Sequence, residues 1–289
     1  MLKFLDRVFR GLGQVMFQNN SLTGFLILIG LAIASPWIAV GAFMGTVIST
    51  WTAIYLRYEK TDIIRGIYGY NGCLVGAAFF ALFIPSPFMF VGFVLATSFS
   101  SVLMFYMAPE YKSMGLPLMT FPFVIISWMA VITLPMKTTV TSIYLGLHDI
   151  SFAKIILKNI SEVYLVESAI AGLVILFGLL LNSFWPVIFA LFGSVVAGGL
   201  SLVLELDMDG VSAGLYGFSA VLTSIALGCT FMRPTWKSAM FALVGIILSV
   251  LLHVLFIKMG AVPLTAPFLI STWVLLKLEA VLRHHTSIP

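Results

Sequence analysis

Long apolar runs, broken by short polar or proline-containing stretches, dominate the chain. Ten of them suit membrane-crossing helices, near residues 21–35, 36–56, 67–84, 87–107 and 117–135, then 169–183, 184–204, 212–231, 238–258 and 263–282. A helix needs ~20 residues to cross hydrocarbon, so the shorter runs predict tilted or partial spans. Ahead of the first run, Lys3, Asp6, Arg7 and Arg10 alternate with Leu2, Leu5, Val8, Phe9 and Leu12. That spacing predicts an amphipathic helix lying on a membrane, because the charges interrupt the apolar core a cleavable signal would need.

The same pattern occurs twice. At an offset of 148 the stretch from Gln14 to Trp37 lies over Glu162 to Trp185, matching at Val15, Gly24, Ile27, Leu28, Gly30, Leu31, Ser35 and Trp37. GIYGYNGCL (66–74) lies over GLYGFSAVL (214–222) at the same offset. LPLMTFPF (116–123) and VPLTAPF (262–268) form a third pair, about 145 residues apart, with the second one residue shorter. Matches over three separated blocks point to duplication. Residues 1–135 and 161–289 are then two copies of five spans joined by a linker, 136–160, and together they make one membrane domain. An odd number of spans turns the second copy upside down. The predicted fold is therefore an all-α integral membrane protein of ten transmembrane helices in two inverted five-helix repeats, a design that puts a substrate path between the copies.

Composition agrees: of 289 residues, 61% are hydrophobic and only 9% charged, too few polar groups to cover a water-facing surface. With the N-terminus in the cytoplasm, inside segments collect eleven Lys and Arg residues and outside segments four. This bias predicts cytoplasmic termini in an inner or plasma membrane, and it accounts for the basic balance without a nucleic-acid partner. Cys73 and Cys229 sit in apolar runs and read as buried thiols.

The repeat also selects candidate chemistry. Non-helical backbone survives at membrane depth only where protein or a cavity satisfies it. Pro117 with Pro122, and Pro263 with Pro267, free carbonyls that a regular helix would use, with the Thr120 and Thr265 hydroxyls beside them. Those carbonyls are expected to be available acceptors. Gln14 and Glu162 occupy equivalent positions, each opening a segment of about seven residues, too short to cross, that suits a re-entrant helix with the polar residue at its positive end. Phe17 and Tyr70 correspond to Leu165 and Phe218.

Span centres carry no obvious Asp, Lys or Arg, the usual marks of proton relays and ion coupling. His253 reads as a satisfied buried imidazole; His148, His284 and His285 fall in the linker or tail without metal-ligand spacing. No P-loop, cofactor motif or polar catalytic cluster is present, which weighs against an integral-membrane enzyme. A path of carbonyls, hydroxyls and aromatic faces with little charge favours a small neutral molecule with amide-like donors. Urea fits, being planar with four N–H donors. Ammonia, water or a short amide remains the alternative permeant.

The paired LPLMTFPF and VPLTAPF strings, with GQVMFQNNSLTG and GYNGCLVG, resemble blocks of the urea transporter family over nearly the whole chain. Resemblance implies a passive, selective urea channel, not an enzyme, with a re-entrant pore helix in each half. It also implies a homotrimer embedded in lipid, with one pore per protomer and no cofactor. Carried over by motif, Gln14 and Glu162 bind amide hydrogens, Thr120 and Thr265 face the narrowest point, and Val15, Val163, Leu74 and Leu222 pack around it. Phe17 with Tyr70 and Leu165 with Phe218 form the two slots. Leu165 stands where the family favours Phe, and Tyr70 where Phe is usual, so one vestibule is expected to bind urea more weakly.

Overall fold

The polar breaks between apolar runs act as helix caps. In the structure, a computed structural model describing residues 1–137 and 151–286 with side chains to 283, Asn20 accepts hydrogen bonds from the Leu22 and Thr23 amides and starts α2 (Ser21–Ala34). Ser35 caps α3 (Pro36–Tyr55), Ser86 caps α6 (Pro87–Ser113) and Thr235 caps α13 (Trp236–Lys258), the first two with Pro in the first turn, where the absent N–H costs nothing. Between them lie α1 (Leu2–Gln14), α4 (Lys60–Ile64), α5 (Gly69–Leu82), α7 (Phe121–Thr133), α8 (Phe152–Ser161), α9 (Ala169–Leu180), α10 (Phe184–Val203), α11 (Met208–Ala213), α12 (Phe218–Ile225) and α14 (Ala266–Thr286). Among the described residues the regular elements are all helical.

Four of the expected spans, α3, α6, α10 and α13, are long and apolar enough to cross a membrane, and α2, α5 and α7 are shorter apolar helices. In α12 the ladder loosens into a π turn, Ala226–Thr230. Large side chains such as Phe88, Ile132, Val203 and Trp236 stand exposed. Apolar surface on that scale belongs against lipid. The chain is an integral membrane protein.

Two expectations need correction. Residues 152–160, assigned to the linker, belong to α8 (Phe152–Ser161); linker positions 138–150, with His148, lie outside the described residues, as do the side chains of His284 and His285. The N-terminal amphipathic helix does not lie free on a surface: α1 packs on α2, α3 and α5 with Val8, Gly11, Leu12 and Gly13 buried. Its apolar face meets protein, and periodicity alone does not distinguish protein from lipid headgroups.

Backbone geometry repeats between the halves more closely than side chains do. Among the described residues, those at positive φ fall into five pairs: Phe17 and Leu165 (60° and 58°), Arg57 and Glu205, Gly66 and Gly214 at an offset of 148, then Met119 and Leu264 (52° and 46°), Gly115 and Gly260 at 145. Non-glycine residues adopt this region rarely, so a paired list carries real information. Close approach repeats too. A Cβ on Gly24 would stand 1.7 Å from the Phe9 carbonyl of α1, and one on Gly172 would stand 2.0 Å from the Leu157 carbonyl of α8.

The halves meet through reciprocal contacts. Helix α2 packs along α9, with the Thr23 hydroxyl donating to the Gly178 carbonyl at 2.8 Å. The Trp128 indole N–H donates to the Val262 carbonyl (2.8 Å), and the Trp273 indole N–H to the Pro117 carbonyl (2.7 Å). Near the ends of α1 and α8, the fully buried Tyr164 hydroxyl donates to the Leu12 carbonyl at 2.9 Å.

Candidate functional site

Two cavities lie inside the bundle, each lined mainly by one half. The first, about 330 Å³, is bounded by Gln14, Val15, Phe17, Tyr70, Met104, and the segment Pro117 to Thr120; Asn19 and Arg65 also line it. The second, about 380 Å³, is bounded by Glu162, Val163, Leu165, Phe218, His253 and the segment Gly260 to Thr265. Each borrows from the other half: Thr230 and Phe231 complete the first, Leu82 and Phe123 the second. Ten of the twelve residues singled out in the sequence therefore line a cavity. Leu74 and Leu222 line neither and are fully buried.

The cavities meet at Thr120 and Thr265, whose hydroxyl oxygens are 2.7 Å apart and buried. One hydroxyl donates to the other, leaving the acceptor's hydrogen and the donor's lone pairs for a third molecule. Both threonines follow a positive-φ residue, Met119 or Leu264, and stand where helix begins: Thr120 just before α7, Thr265 just before α14. The Pro-Thr-Pro spacing thus places a hydroxyl on the last non-helical residue of each segment.

The freed carbonyls are less available than expected. Indoles take those of Pro117 and Val262. The Met119 carbonyl accepts from the Tyr70 hydroxyl at 2.6 Å and from the Asn71 amide at 3.3 Å. Its counterpart, the Leu264 carbonyl, receives only a long contact from the Ser219 hydroxyl, 3.4 Å, among the described residues. An N–H···O or O–H···O bond weakens steeply at such lengths, so Leu264 keeps more acceptor capacity than Met119. The difference follows from one atom, the phenolic oxygen of Tyr70 where Phe218 has none.

Gln14 and Glu162 do not open short helices. Gln14 is the last residue of α1, and Glu162 follows α8 at the start of a single 3-10 turn, Glu162–Tyr164, after which α9 leaves at 75° to that segment. Both lie at negative helix ends, which complement a solute's N–H groups. The Gln14 amide nitrogen donates to the Arg65 carbonyl at 2.9 Å, leaving its Oε1 without a protein partner among the described residues. The Glu162 carboxylate has no hydrogen-bond partner among them.

Aromatic packing differs between cavities. Phe17 meets Phe231 edge-on (centroids 5.7 Å apart) and Phe268 (6.1 Å), both from the second half. Leu165 contributes no ring. Phe218 instead meets His253, 5.5 Å away at 81°. The sequence reading missed His253, Met104 and Phe231 as lining residues. A histidine in an apolar run was a visible signal, whereas nothing local distinguishes Met104 or Phe231 from core or lipid-facing neighbours. Nor is His253 satisfied as expected: its Nδ1 is buried with no hydrogen-bond partner among the described residues, a state that costs ~1–3 kcal/mol.

Residues 5–280 match the family described as Urea transporter. The chain is 28% identical to Urea transporter 1 of Ovis aries, across 96% of its own length and 77% of the relative's. It is 31% identical to Urea transporter 1 of Mus musculus, across 84% and 67%. Rattus norvegicus Urea transporter 1 is similar at 29%, with the same coverage.

Proposed function

Because the chain belongs to the urea transporter family, a family of transporters and not of enzymes, we propose that it lets urea cross the cytoplasmic membrane passively, through the two cavities and past the Thr120–Thr265 contact. The observation that carries this reading is the meeting of two equivalently lined cavities at one hydroxyl pair. Urea leaving water loses hydrogen-bond acceptors for its four N–H groups and donors to its oxygen. Gln14 Oε1, the Glu162 carboxylate and the Leu264 carbonyl replace acceptors, and the free hydroxyl hydrogen of the threonine pair replaces a donor. Exchange of water partners for protein partners keeps the net change small, ~0.5–1.5 kcal/mol per bond, which suits binding weak enough for release. Val15, Val163 and the rings of Phe17, Tyr70 and Phe218 exclude water at the flanks, while Leu74 and Leu222 support those walls from behind. An ion would lose its hydration shell without a counter-charge at the threonine pair.

The duplication is read as two inverted five-helix repeats, with α1 and α8 as the re-entrant helices. Paired positive-φ residues and reciprocal indole bonds support it, since a twofold relation makes each contact occur twice. Each protomer of a homotrimer then owns one path, with both termini cytoplasmic. In this reading the first repeat is 1–135, and the second, assigned to 161–289, extends back to include α8.

Stopped-flow shrinkage of proteoliposomes with urea, acetamide and ammonia tests the reading. Urea should permeate far faster than through protein-free vesicles, and equality between the two rejects it. Thr120→Val leaves the Thr265 hydroxyl alone at the junction, so urea permeability should fall about tenfold, the effect of ~1.4 kcal/mol, with melting temperature little changed. Wild-type urea flux in that variant would make Thr120 structural.

A further inference from the structure

His253 combines three features. It lines the second cavity, it is only 3% exposed, and its Nδ1 has no partner among the described residues. The ring is held by aromatic edges on two sides, Tyr216 at 5.3 Å and Phe218 at 5.5 Å.

Its place in the fold has a counterpart. Helices α6 and α13 start from the N-caps Ser86 and Thr235. Met104 and His253 each stand eighteen residues after that cap, 86 to 104 and 235 to 253. Met104 Sδ contacts the Tyr70 hydroxyl at 3.7 Å, as His253 contacts Phe218. The two halves therefore carry the same pair of positions with polarity exchanged: phenol against thioether in the first, phenyl against imidazole in the second. In the first cavity the phenol is committed to the Met119 carbonyl. The imidazole nitrogen is committed to nothing among the described residues.

We propose that His253 contacts the permeant directly, its ring turning about the Cβ–Cγ bond to present the buried, unpartnered Nδ1 to the amide group of the solute in the second cavity, and so favours amides over apolar molecules of the same size. This rests on the urea-permeation reading above. A neutral imidazole holds one donor and one acceptor nitrogen; a urea offers its carbonyl to the donor and its N–H groups to the acceptor. The imidazole also supplies the flat ring that Leu165 does not.

The test compares His253→Phe and His253→Gln in proteoliposomes at equal protein density, with melting temperature measured alongside. Phe keeps the ring and removes an unpartnered polar atom, so the protein should melt no lower than wild type while urea permeability drops about tenfold. Gln, which can exchange both kinds of hydrogen bond, should retain permeability within about threefold. Wild-type urea flux in the Phe variant would overturn the proposal. So would loss of flux in both variants together with lowered melting, which marks a structural role. Failure of the permeation reading shows itself separately, as wild-type vesicles no more permeable to urea than empty ones.

Discussion

The first cavity spends a phenol to hold its Pro-Thr-Pro segment, whereas the second leaves the equivalent carbonyl nearly free and brings up an imidazole instead. Both halves use the same backbone, down to paired positive-φ residues at Phe17 and Leu165. The two halves share the path of the chain while their side chains divide the work: the first half is braced, the second is chemically open. The helix pairs behind the cavities differ in the same sense. In the first half α3 and α5 approach backbone to backbone, since a Cβ on Gly45 would lie 2.1 Å from the Gly72 carbonyl and one on Gly76 2.0 Å from that of Gly41. In the second half the equivalent positions hold Phe189, Gly193, Ala220 and Ser224, and the closest atoms to a Cβ on Gly193 lie at 2.8 Å. There Phe189 packs against Gly228 in the π turn, a looser ladder of the sort found at functional sites.

The largest expected break in this comparison is at the glycine seam. Gly45→Ala forces apart two backbones that have no room to give, and overpacking of this kind costs up to ~3 kcal/mol. Gly193→Ala meets a longer gap and should cost roughly half as much. Melting of the purified variants measures both; equal losses would mean the two seams are mechanically alike. Next in size is the aromatic pair. Tyr70→Leu removes the ring and releases Met119, while Phe218→Leu leaves the His253 ring in place. Urea permeability should fall about tenfold in the first and about threefold in the second, and equal losses would argue against functional asymmetry. The smallest effect is expected from Leu165→Phe. Phe17 adopts the same left-handed backbone as Leu165, so the new ring meets no added backbone strain. Urea permeability should change by no more than about threefold, and a larger loss would show that the second cavity has no space for another ring.

Much of this molecule was legible in its residues. Gly24 and Gly172 match because each lies against a helix carbonyl, and a methyl group fits at neither position. The prolines and threonines of the paired segments stand out because helix rules disfavour them, and the structure uses them to end non-helical backbone at one hydroxyl. Other features were misread because one pattern has several solutions. Amphipathic spacing in α1 satisfied a membrane surface as well as a protein groove, so it was left outside the bundle, most of α8 was read as linker, and Gln14 was assigned to the wrong end of its helix. Leu74 and Leu222 share the repeat with the lining residues but are fully buried and line neither cavity, a distinction that no linear pattern records.

From its residues alone this chain declares that it is membrane-embedded, self-similar at an offset of about 148, and furnished with two Pro-Thr-Pro segments, because hydropathy, self-similarity and helix-breaking residues are properties of linear order. Which groups those segments meet was decided only in three dimensions. The Thr120–Thr265 bond joins residues 145 positions apart, the Tyr70 hydroxyl reaches Met119 across 49, and His253 Nδ1 is left without a hydrogen-bond partner among the described residues. Hydrogen bonds depend on sub-ångström placement of atoms from distant parts of the chain, and that placement exists only once the helices have packed.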